Sequence, residues 1–477
     1  MKKKLILSLL IAVGALSLTG CPNNSEKTQT KESTTPQSSV PSIVPSSTKP
    51  SVAPSTTPSA KPSVAPSITS SATKTTPSTE EKEYFHIYAW NDEFKGFFDK
   101  YVSDEKQPGL KKYHLDGVEV KWTIVPNESK HYQDTLDIAL KNNEAADAEH
   151  RIDMFLAEAD YIKKYTDSEY TIDISQIGVT DLSNSYNYAK EVATSSLGVL
   201  KGLPYQLCPS GVIYNRSIAK AILGTDDPEV IGPMLDTWEE FDAMAETMKN
   251  KDYYMTASDE ETYRAFAQNK ETPWVDSNNA IKISKSIEAW MDQADTYVKN
   301  GYTVAADVWS EEKFNNIAYG NEQAFCVFGP AWYYNFAMSG SKSGDWALVS
   351  GPQAHFWGGV WMLGTADTDN PELVAKTMNA FTNDEEVCKN LILDEGQHVN
   401  NQKVVLEVAS SGDYKGSDFL NGQNDLLVMH EVAKSIKIAN TTIFDQRCDE
   451  KFVACFREYL KGNVTKTQAL NNFYYTV

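Results

Sequence analysis

The pattern of apolar and polar positions predicts alternating strands and helices at the start of the folded chain. Residues 85–90 form an apolar run typical of a buried strand, and residues 91–93 follow it as a helix start with acidic side chains. Residues 118–124 alternate between apolar and polar, and residues 152–156 form a third strand before a helical stretch. This alternation predicts an α/β domain with a mostly parallel sheet.

A second block of strands and helices follows. Residues 211–214 form a short apolar strand, and Thr237 with Glu240 has the spacing of a capping box at a helix start. A longer helix carries Trp290 on its apolar face and stops at Gly301, so this tryptophan is predicted to lie in the core. The block therefore predicts a second α/β unit.

Two short strands of this second block each end in Gly-Pro and are followed by large aromatic residues. After the strand at 324–328 come Trp332 and Tyr333, and after the strand at 346–350 come Trp357, Gly358 and Trp361. Rings at strand ends are well placed to line a cleft. For any single ring, packing inside the core is the alternative.

Polar residues also follow the strands of the first block. Trp90, Asn91 and Asp92 come after the first strand, and Glu158 and Asp160 come after the third. Ligands of open α/β sheets bind beyond the carboxyl ends of the strands. Carboxylates accept hydrogen bonds and aromatic faces cover C–H surfaces, so these residues are candidates for a ligand-binding site.

Composition narrows the classes of function. The 477 residues suffice for two or three domains, and the net charge of −21 argues against nucleic acid as a partner. The six cysteines lack CxxC spacing, and no histidine pair has metal-binding spacing, so we expect no metal site. No nucleophile constellation or P-loop is present, so we expect no catalytic residues and no cofactor. Whether Cys448 and Cys455 form a bridge stays open.

The N-terminal part predicts an anchored protein. Residues 1–20 combine a lysine head with an apolar run, which indicates a secretory signal peptide, and residues 18–21 resemble the lipobox of bacterial lipoproteins. Cys21 would then carry the lipid, unless it is incidental to an ordinary signal peptide. Residues 21–82 continue as a Ser/Thr/Pro-rich segment, predicted to be a disordered tether. We expect the protein on the outer face of the cytoplasmic membrane of a Gram-positive-type bacterium.

Several segments, in order, resemble the family 1 extracellular solute-binding proteins, the sugar-binding receptors of ABC importers. The resemblance covers about residues 84–477. The segments that carry it are IYAWNDEF (87–94), DMFLAEADYIKKY (153–165), LPYQLCPSGVIYNRS (203–217), TWEEF (237–241), GNEQAFCVFGPAW (320–332), GGVWMLGTADTDNPELVAKTMNAFTND (358–384), EGQHVNNQKVV (395–405), FLNGQND (419–425) and TTIFDQ (441–446).

The resemblance implies a periplasmic-binding-protein-like α/β fold with two lobes, a cleft between them and a multi-strand hinge. Lobe one would comprise residues 83–203 plus 352–395, and lobe two residues 204–350 plus 397–477. The implied function is capture of a sugar, in our interpretation an oligosaccharide, by hinge closure. A monomer would then deliver it to the permease subunits of an ABC importer, without acting as an enzyme.

The resemblance also implies a set of ligand-binding residues. They are Trp90, Asn91, Asp92, Glu158, Asp160, Trp332, Trp357 and Gly358. Trp361 is a further candidate because it belongs to the aromatic residues that follow the second short strand. The chain departs from the family at two points. In the maltose-binding branch of the family, a tryptophan follows the Gly-Pro directly. In this chain Ala331 stands in that place, so either Trp332 or Tyr333 would be the ring that stacks on the ligand. In the family, the loop before the second block's first strand often carries an acidic residue. This chain has Gln206 and Ser210 there, and both are candidate ligand-binding residues.

Two alternatives remain at this stage. Asp92, Glu158 and Asp160 would also suit the ammonium groups of a polyamine or peptide, with tryptophans around the methylenes. Less favoured is a lipid-anchored glycoside hydrolase, in which Asp92 and Glu158 would act as acid and base.

Overall fold

The computed structural model describes residues 83–317 and 323–477. The predicted signal peptide, the predicted lipidation site Cys21 and the predicted tether lie outside these residues. Across the described ranges, none of the helices has both the length and the apolar character needed to cross a membrane.

The described residues form eleven strands, distributed over two sheets. In chain order they are β1 (Tyr84–Ala89), β2 (His114–Leu115), β3 (Val118–Ile124), β4 (Met154–Glu158), β5 (Gly202–Gln206), β6 (Pro209–Asn215), β7 (Tyr254–Thr256), β8 (Ala324–Gly329), β9 (Trp346–Val349), β10 (His355–Phe356) and β11 (Val360–Gly364).

Helices surround both sheets. Those of the described residues are α1 (Glu93–Tyr101), α2 (His131–Lys141), α3 (Lys163–Thr166), α4 (Asn187–Ala193), α5 (Arg216–Leu223), α6 (Pro228–Ile231), α7 (Trp238–Lys249), α8 (Tyr263–Ala267), α9 (Lys285–Asn300), α10 (Glu311–Asn315), α11 (Pro371–Thr382), α12 (Glu385–Glu395), α13 (Gln402–Ser410), α14 (Asp425–Ser435), α15 (Asp445–Leu460) and α16 (Lys466–Thr476). The predicted cap of α7 forms, because the Thr237 side chain accepts a hydrogen bond from the N–H of Glu240. The predicted stop of α9 is also confirmed, with Gly301 at a φ of 69°.

The first sheet has six strands in the order β2-β3-β1-β4-β11-β5. β1 runs parallel to β3 and β4, as the alternation of strands and helices predicts. β11 comes from much later in the chain and runs antiparallel to both β4 and β5. Val360 at its start lies opposite Glu158, so the polar end of β4 is brought beside the glycine-rich loop before β11.

The second sheet has the order β10-β6-β8-β7, with β9 also paired to β6. β6 is antiparallel to β8, β9 and β10, and β7 is parallel to β8. β8 ends at Gly329, and a short π-helix follows at Tyr333–Ala337. Such π-helices are rare and occur frequently at functional sites.

The segments after β5 and after β10 lead between the two sheets, and a third segment, between α12 and α13, runs beside the first. Residues 206–209 lead from β5 to β6, and residues 356–360 lead from β10 to β11. The third segment passes through His398, whose carbonyl accepts a hydrogen bond of 2.8 Å from the N–H of Leu207. The amides of Gln206 and Gln397 meet at 2.6 Å, so two of the segments are fastened side by side.

The apolar core is divided between the sheets. One cluster on the first sheet includes Phe85, Ile87 and Met362, and the α13 residue Val404 packs within it. The predicted boundary at residue 397 assigns α13 to lobe two, whereas its packing places it on the first sheet. The predicted core position of Trp290 is confirmed. The cysteines of the described residues are free, which answers the open question of Cys448 and Cys455.

Candidate functional site

The loop after β4 contains a paired carboxylate. Asp160 forms a bidentate ion pair with Arg264, with both Nη–Oδ distances 2.9 Å. Arg264 belongs to α8, which follows β7 of the second sheet. The ion pair therefore links a loop of the first sheet to a helix next to the second sheet. The side chains are 34% and 31% exposed, so solvent still reaches them.

Four rings lie together beside this ion pair, and we call them the aromatic shelf: Trp309, Trp332, Tyr333 and Trp357. The ring centres of Trp332 and Trp357 are 5.1 Å apart, and Trp309 lies parallel to Trp332 at 6.1 Å. The Trp332 Nε1–H donates to the carbonyl of Trp357 at 3.2 Å. The Arg264 guanidinium lies 5.2 Å from the ring centre of Trp357, so the ion pair and the shelf are continuous.

Gly358 lies between the carboxylate of Glu158 and the shelf. A Cβ placed on this glycine would be 3.7 Å from Glu158 Oε1 and 3.6 Å from Trp332 Nε1. Its φ of +81° is a conformation that L side chains rarely adopt. The sequence-predicted Glu158, Asp160, Trp332, Tyr333, Trp357 and Gly358 are therefore brought together.

A pocket of about 130 Å³ adjoins the ion pair on the side of α15. Its lining includes Asp160 and Arg264, the apolar side chain of Phe356, and Gln446 and Asp449 of α15.

The ionisation of the central carboxylates is set by burial and by Arg264. Burial raises the pKa of Glu158 well above its usual range, and the charge of Asp160 raises it further. For Asp160 burial also acts upward, but the Arg264 guanidinium outweighs it and holds the pKa of Asp160 below its usual value. Glu158 is therefore biased toward the neutral acid, and Asp160 toward a paired anion.

The acidic residues around the pocket are compensated in the same way. Asp445 pairs with Lys270 at 2.8 Å, Glu450 pairs with Lys130 at 2.8 Å, and Glu260 pairs with Arg457. Asp449 Oδ1 accepts hydrogen bonds from Tyr263 Oη at 2.5 Å and from Trp274 Nε1 at 2.8 Å. Burial raises the pKa of Asp449 to about 6, against the opposing effect of Lys270. Asp445, Glu450 and Glu260 are therefore paired with cations, whereas Asp449 is held by two neutral donors.

Trp361 takes a different place from the one predicted for it. It is fully buried in the cluster on the other face of the first sheet, with Phe155 and Leu363. Its Nε1–H donates to the carbonyl of Ala189 at 2.9 Å. This tryptophan is a core residue in the structure.

Two other predicted residues lie at the strand ends that flank the segment between β5 and β6. Ser210 is buried on β6, and its hydroxyl donates to the carbonyl of Cys208 at 3.3 Å. Gln206 is engaged with Gln397, as described above. Their contacts are those of the connecting segments, and neither lines the pocket.

The loop after β1 is held by local contacts. Trp90 packs edge to face on Tyr132, with ring centres 5.5 Å apart. Asn91 Oδ1 accepts a hydrogen bond from the N–H of Glu93 at 3.0 Å, and Asp92 is exposed at the start of α1. A role in ligand binding stays a prediction for these three residues.

Sequence reasoning missed Arg264, Trp309 and the α15 residues of the pocket. Arg264 stands among apolar residues in YRAFA. A charged residue in such a setting was the signal in the sequence that could have marked it as a candidate site residue. In the described part of the chain, no group of three or more His, Cys, Asp or Glu residues is placed to hold a metal ion.

Comparisons with solved structures identify relatives of the fold. A crystal structure of a family 1 extracellular solute-binding protein has a TM-score of 0.68, with 16% identity over 82% of this chain and 98% of that chain. The ABC transporter associated binding protein of B. animalis subsp. lactis Bl-04, in complex with β-1,6-galactobiose, has a TM-score of 0.58 and 16% identity over 82% and 96%. The cyclic α-maltosyl-1,6-maltose binding protein of Arthrobacter globiformis has a TM-score of 0.57 and 15% identity over 83% and 97%. At such identities the likeness shows the two-lobed fold.

The sequence itself matches a family. No curated protein sequence matches the chain. The sequence model of the bacterial extracellular solute-binding proteins matches residues 110–409, more than half of the chain. This is a family of binding proteins and not of enzymes. With the fold and the sequence in agreement, the chain belongs to the bacterial extracellular solute-binding proteins.

Proposed function

We propose that this protein captures a neutral sugar, in particular an oligosaccharide, and delivers it to the permease subunits of an ABC importer. The observation that carries the proposal is the aromatic shelf beside Glu158 and the Asp160–Arg264 ion pair. Ring faces cover the C–H surfaces of a sugar, and the carboxyl and guanidinium groups bind its hydroxyls. The complexes with β-1,6-galactobiose and with other oligosaccharides among similar structures support this choice.

The electrostatics favour a sugar over a polyamine or peptide. A polyamine needs free carboxylates, but Asp160 is already paired with Arg264 and Glu158 is biased toward its neutral form. Desolvating an ammonium group without a free counter-charge is costly. A neutral polyol meets no such cost.

In this proposal the ligand is held between two lobes that close about the connecting segments. Lobe one would contain the six-stranded sheet, and lobe two the five-stranded sheet. From its packing, we place α13 in lobe one. The lobes would hold the ligand by contacts that form only on closure, so that ligand binding shifts the population toward the closed state.

The site residues in this proposal are Glu158, Asp160, Trp332, Trp357 and Gly358, together with Arg264 and Trp309. Tyr333 is fully buried and supports the shelf by packing against Trp332 and Trp357. We further propose that a lipid on Cys21 anchors a monomer to the outer face of the membrane of a Gram-positive-type bacterium. Radiolabelled palmitate incorporated by the native chain and not by the Cys21→Ala variant would test the anchor.

A thermal-shift screen tests the ligand class. Residues 83–477 are titrated with glucose, maltose, maltotriose, galactose and β-1,6-galactobiose, and with spermidine and a tripeptide alongside. A molecule that binds only the folded state raises Tm with its concentration. We expect a shift with at least one neutral series, with little dependence on salt. A shift with spermidine alone, lost at high salt, would contradict the sugar assignment.

A further inference from the structure

We propose that Lys313, Glu261 and Gly329 form a seat that positions Tyr333 and, through this ring, the tryptophans of the aromatic shelf. The side chains of Lys313 and Glu261 are 0% and 1% exposed, so the seat itself does not contact a ligand. The three residues are positioning residues, which act on binding only through Tyr333. This inference rests on the proposed function in one respect, because it assumes that the shelf binds the sugar.

Tyr333 is in contact with each tryptophan of the shelf. Its ring centre lies 5.2 Å from that of Trp357, 5.6 Å from that of Trp332 and 6.3 Å from that of Trp309. The ring is fully buried, and its hydroxyl group has no hydrogen bond to the described residues. The position of the ring is therefore set by packing, and any displacement would be passed to the three tryptophans.

Gly329 makes room for the Tyr333 ring at the end of β8. A Cβ placed on this glycine would lie 2.8 Å from both Cγ and Cδ1 of Tyr333. Cβ atoms do not come so close to other heavy atoms, so a side chain at this position would push the ring away. The glycine is thus required by a close approach of the ring to the backbone.

Lys313 and Glu261 hold the ring and the strand end together. The Lys313 Nζ lies 4.4 Å from the ring centre of Tyr333, within the range of a cation–π contact. Glu261 Oε1 lies 3.3 Å from this Nζ, and Glu261 Oε2 accepts a hydrogen bond of 2.9 Å from the N–H of Phe328. Because Phe328 precedes Gly329, one carboxylate fixes both the ammonium group and the strand end.

The Lys313–Glu261 ion pair is a poor source of stability. Burial lowers the pKa of Lys313 and raises the pKa of Glu261, and the attraction between the two groups opposes both shifts without cancelling them. Desolvation therefore outweighs the attraction, as is common for buried ion pairs. Such a pair can instead fix one arrangement of the side chains around it, which is the role assigned here.

Two variants test the seat by different routes. The double variant Lys313→Met/Glu261→Gln removes both charges at similar volume, and the glutamine keeps an oxygen for the strand end. Gly329→Ala displaces the ring sterically and leaves the ion pair in place. Lys201→Met is the matched control, because Lys201 is also buried, with its Nζ donating to the carbonyl of Thr171 at 2.6 Å, and has no contact with the seat.

The measurements use residues 22–477, which lack the predicted signal peptide and Cys21. Near-ultraviolet circular dichroism without ligand reports how firmly the aromatic rings are fixed in their surroundings. Calorimetry with maltotriose and with β-1,6-galactobiose gives the affinity. Urea unfolding gives the stability, which separates a positioning role from a purely structural one.

We expect both seat variants to change the near-ultraviolet spectrum and to weaken the sugar that binds the wild type roughly ten-fold. The double variant should nevertheless unfold at nearly the urea concentration of the wild type. Lys201→Met should keep the spectrum and the affinity of the wild type. In a Trp357→Phe background the spectral change should shrink, and an undiminished change would contradict the proposal because the displaced rings would then lie elsewhere.

Wild-type affinity in both seat variants would overturn the seat, whether or not their spectra change, while the proposed function would stand. If the wild type binds neither sugar, that result counts against the proposed function. The spectra, which need no ligand, then decide the seat alone: unchanged spectra in both variants would overturn it. Gly329→Ala keeps the test decisive should the double variant fail to fold.

Discussion

Asp160 and Arg264 form a bidentate ion pair in which both nitrogen–oxygen distances are 2.9 Å. Asp160 follows β4 of the first sheet, and Arg264 lies in α8, which follows β7 of the second. The pair is thus a direct contact between the two sides of the candidate cleft. Because Arg264 also covers the Trp357 ring, this one contact relates the charged and the aromatic parts of the site.

Replacing Arg264 by glutamine should leave Asp160 without its cation beside Glu158. The pKa of Asp160 should then rise, since burial alone acts in that direction. Because both side chains are about a third exposed, the loss of stability at pH 7 should be roughly 1 kcal/mol or less. Urea unfolding measures it, with Lys403→Gln, which removes the exposed ion pair with Glu385 away from the site, as the control. A loss that persists unchanged in high salt would contradict an ionic origin.

Trp332→Ala should weaken sugar binding by a few kcal/mol, on the order of the cost at an interface hot spot. Trp332 is only partly buried and belongs to the shelf, so the fold should persist. Calorimetry with the sugar that gives the largest thermal shift provides the affinity. An affinity equal to that of the wild type would mean that the shelf does not contact the ligand.

Trp361→Ala should behave in the opposite way. This ring is fully buried, and its removal should cost about 3–5 kcal/mol of unfolding free energy. At a temperature where the variant is still folded, its affinity for the same sugar should change little. A large loss of affinity without loss of stability would return Trp361 to the binding site.

His398 predicts a loss of stability in acid. Burial, with a smaller contribution from the charge of His430, lowers the pKa of His398 to about 3. The unfolded chain therefore binds more protons between the ordinary histidine pKa and this value. The contribution of His398 to the free energy of unfolding is complete above about pH 6.5. Below that pH it falls by roughly 1.4 kcal/mol per pH unit. His398→Gln should have a shallower acid limb in urea unfolding from pH 7 to 4.5. Parallel curves for variant and wild type would contradict this assignment.

The local pattern of the sequence determined much of the secondary structure and indicated most residues of the proposed site. The alternation at Val118–Ile124 forms β3, and the Gly-Pro after β8 places Trp332 beyond the end of that strand. These features follow from periodicity and from backbone restrictions, which act over a few residues.

Tertiary structure decided the rest. Val360 and Met362 face one core cluster of the first sheet while Trp361 and Leu363 face another, because helices cover both faces. Because both faces of the sheet are buried, the alternating direction of side chains along β11 does not predict which ring reaches the cleft. Likewise Arg264 meets Asp160 from 104 positions along the chain, and α15 contributes to the lining of the pocket from still further away. Such contacts arise only when the two sheets are assembled, so no local pattern of residues encodes them.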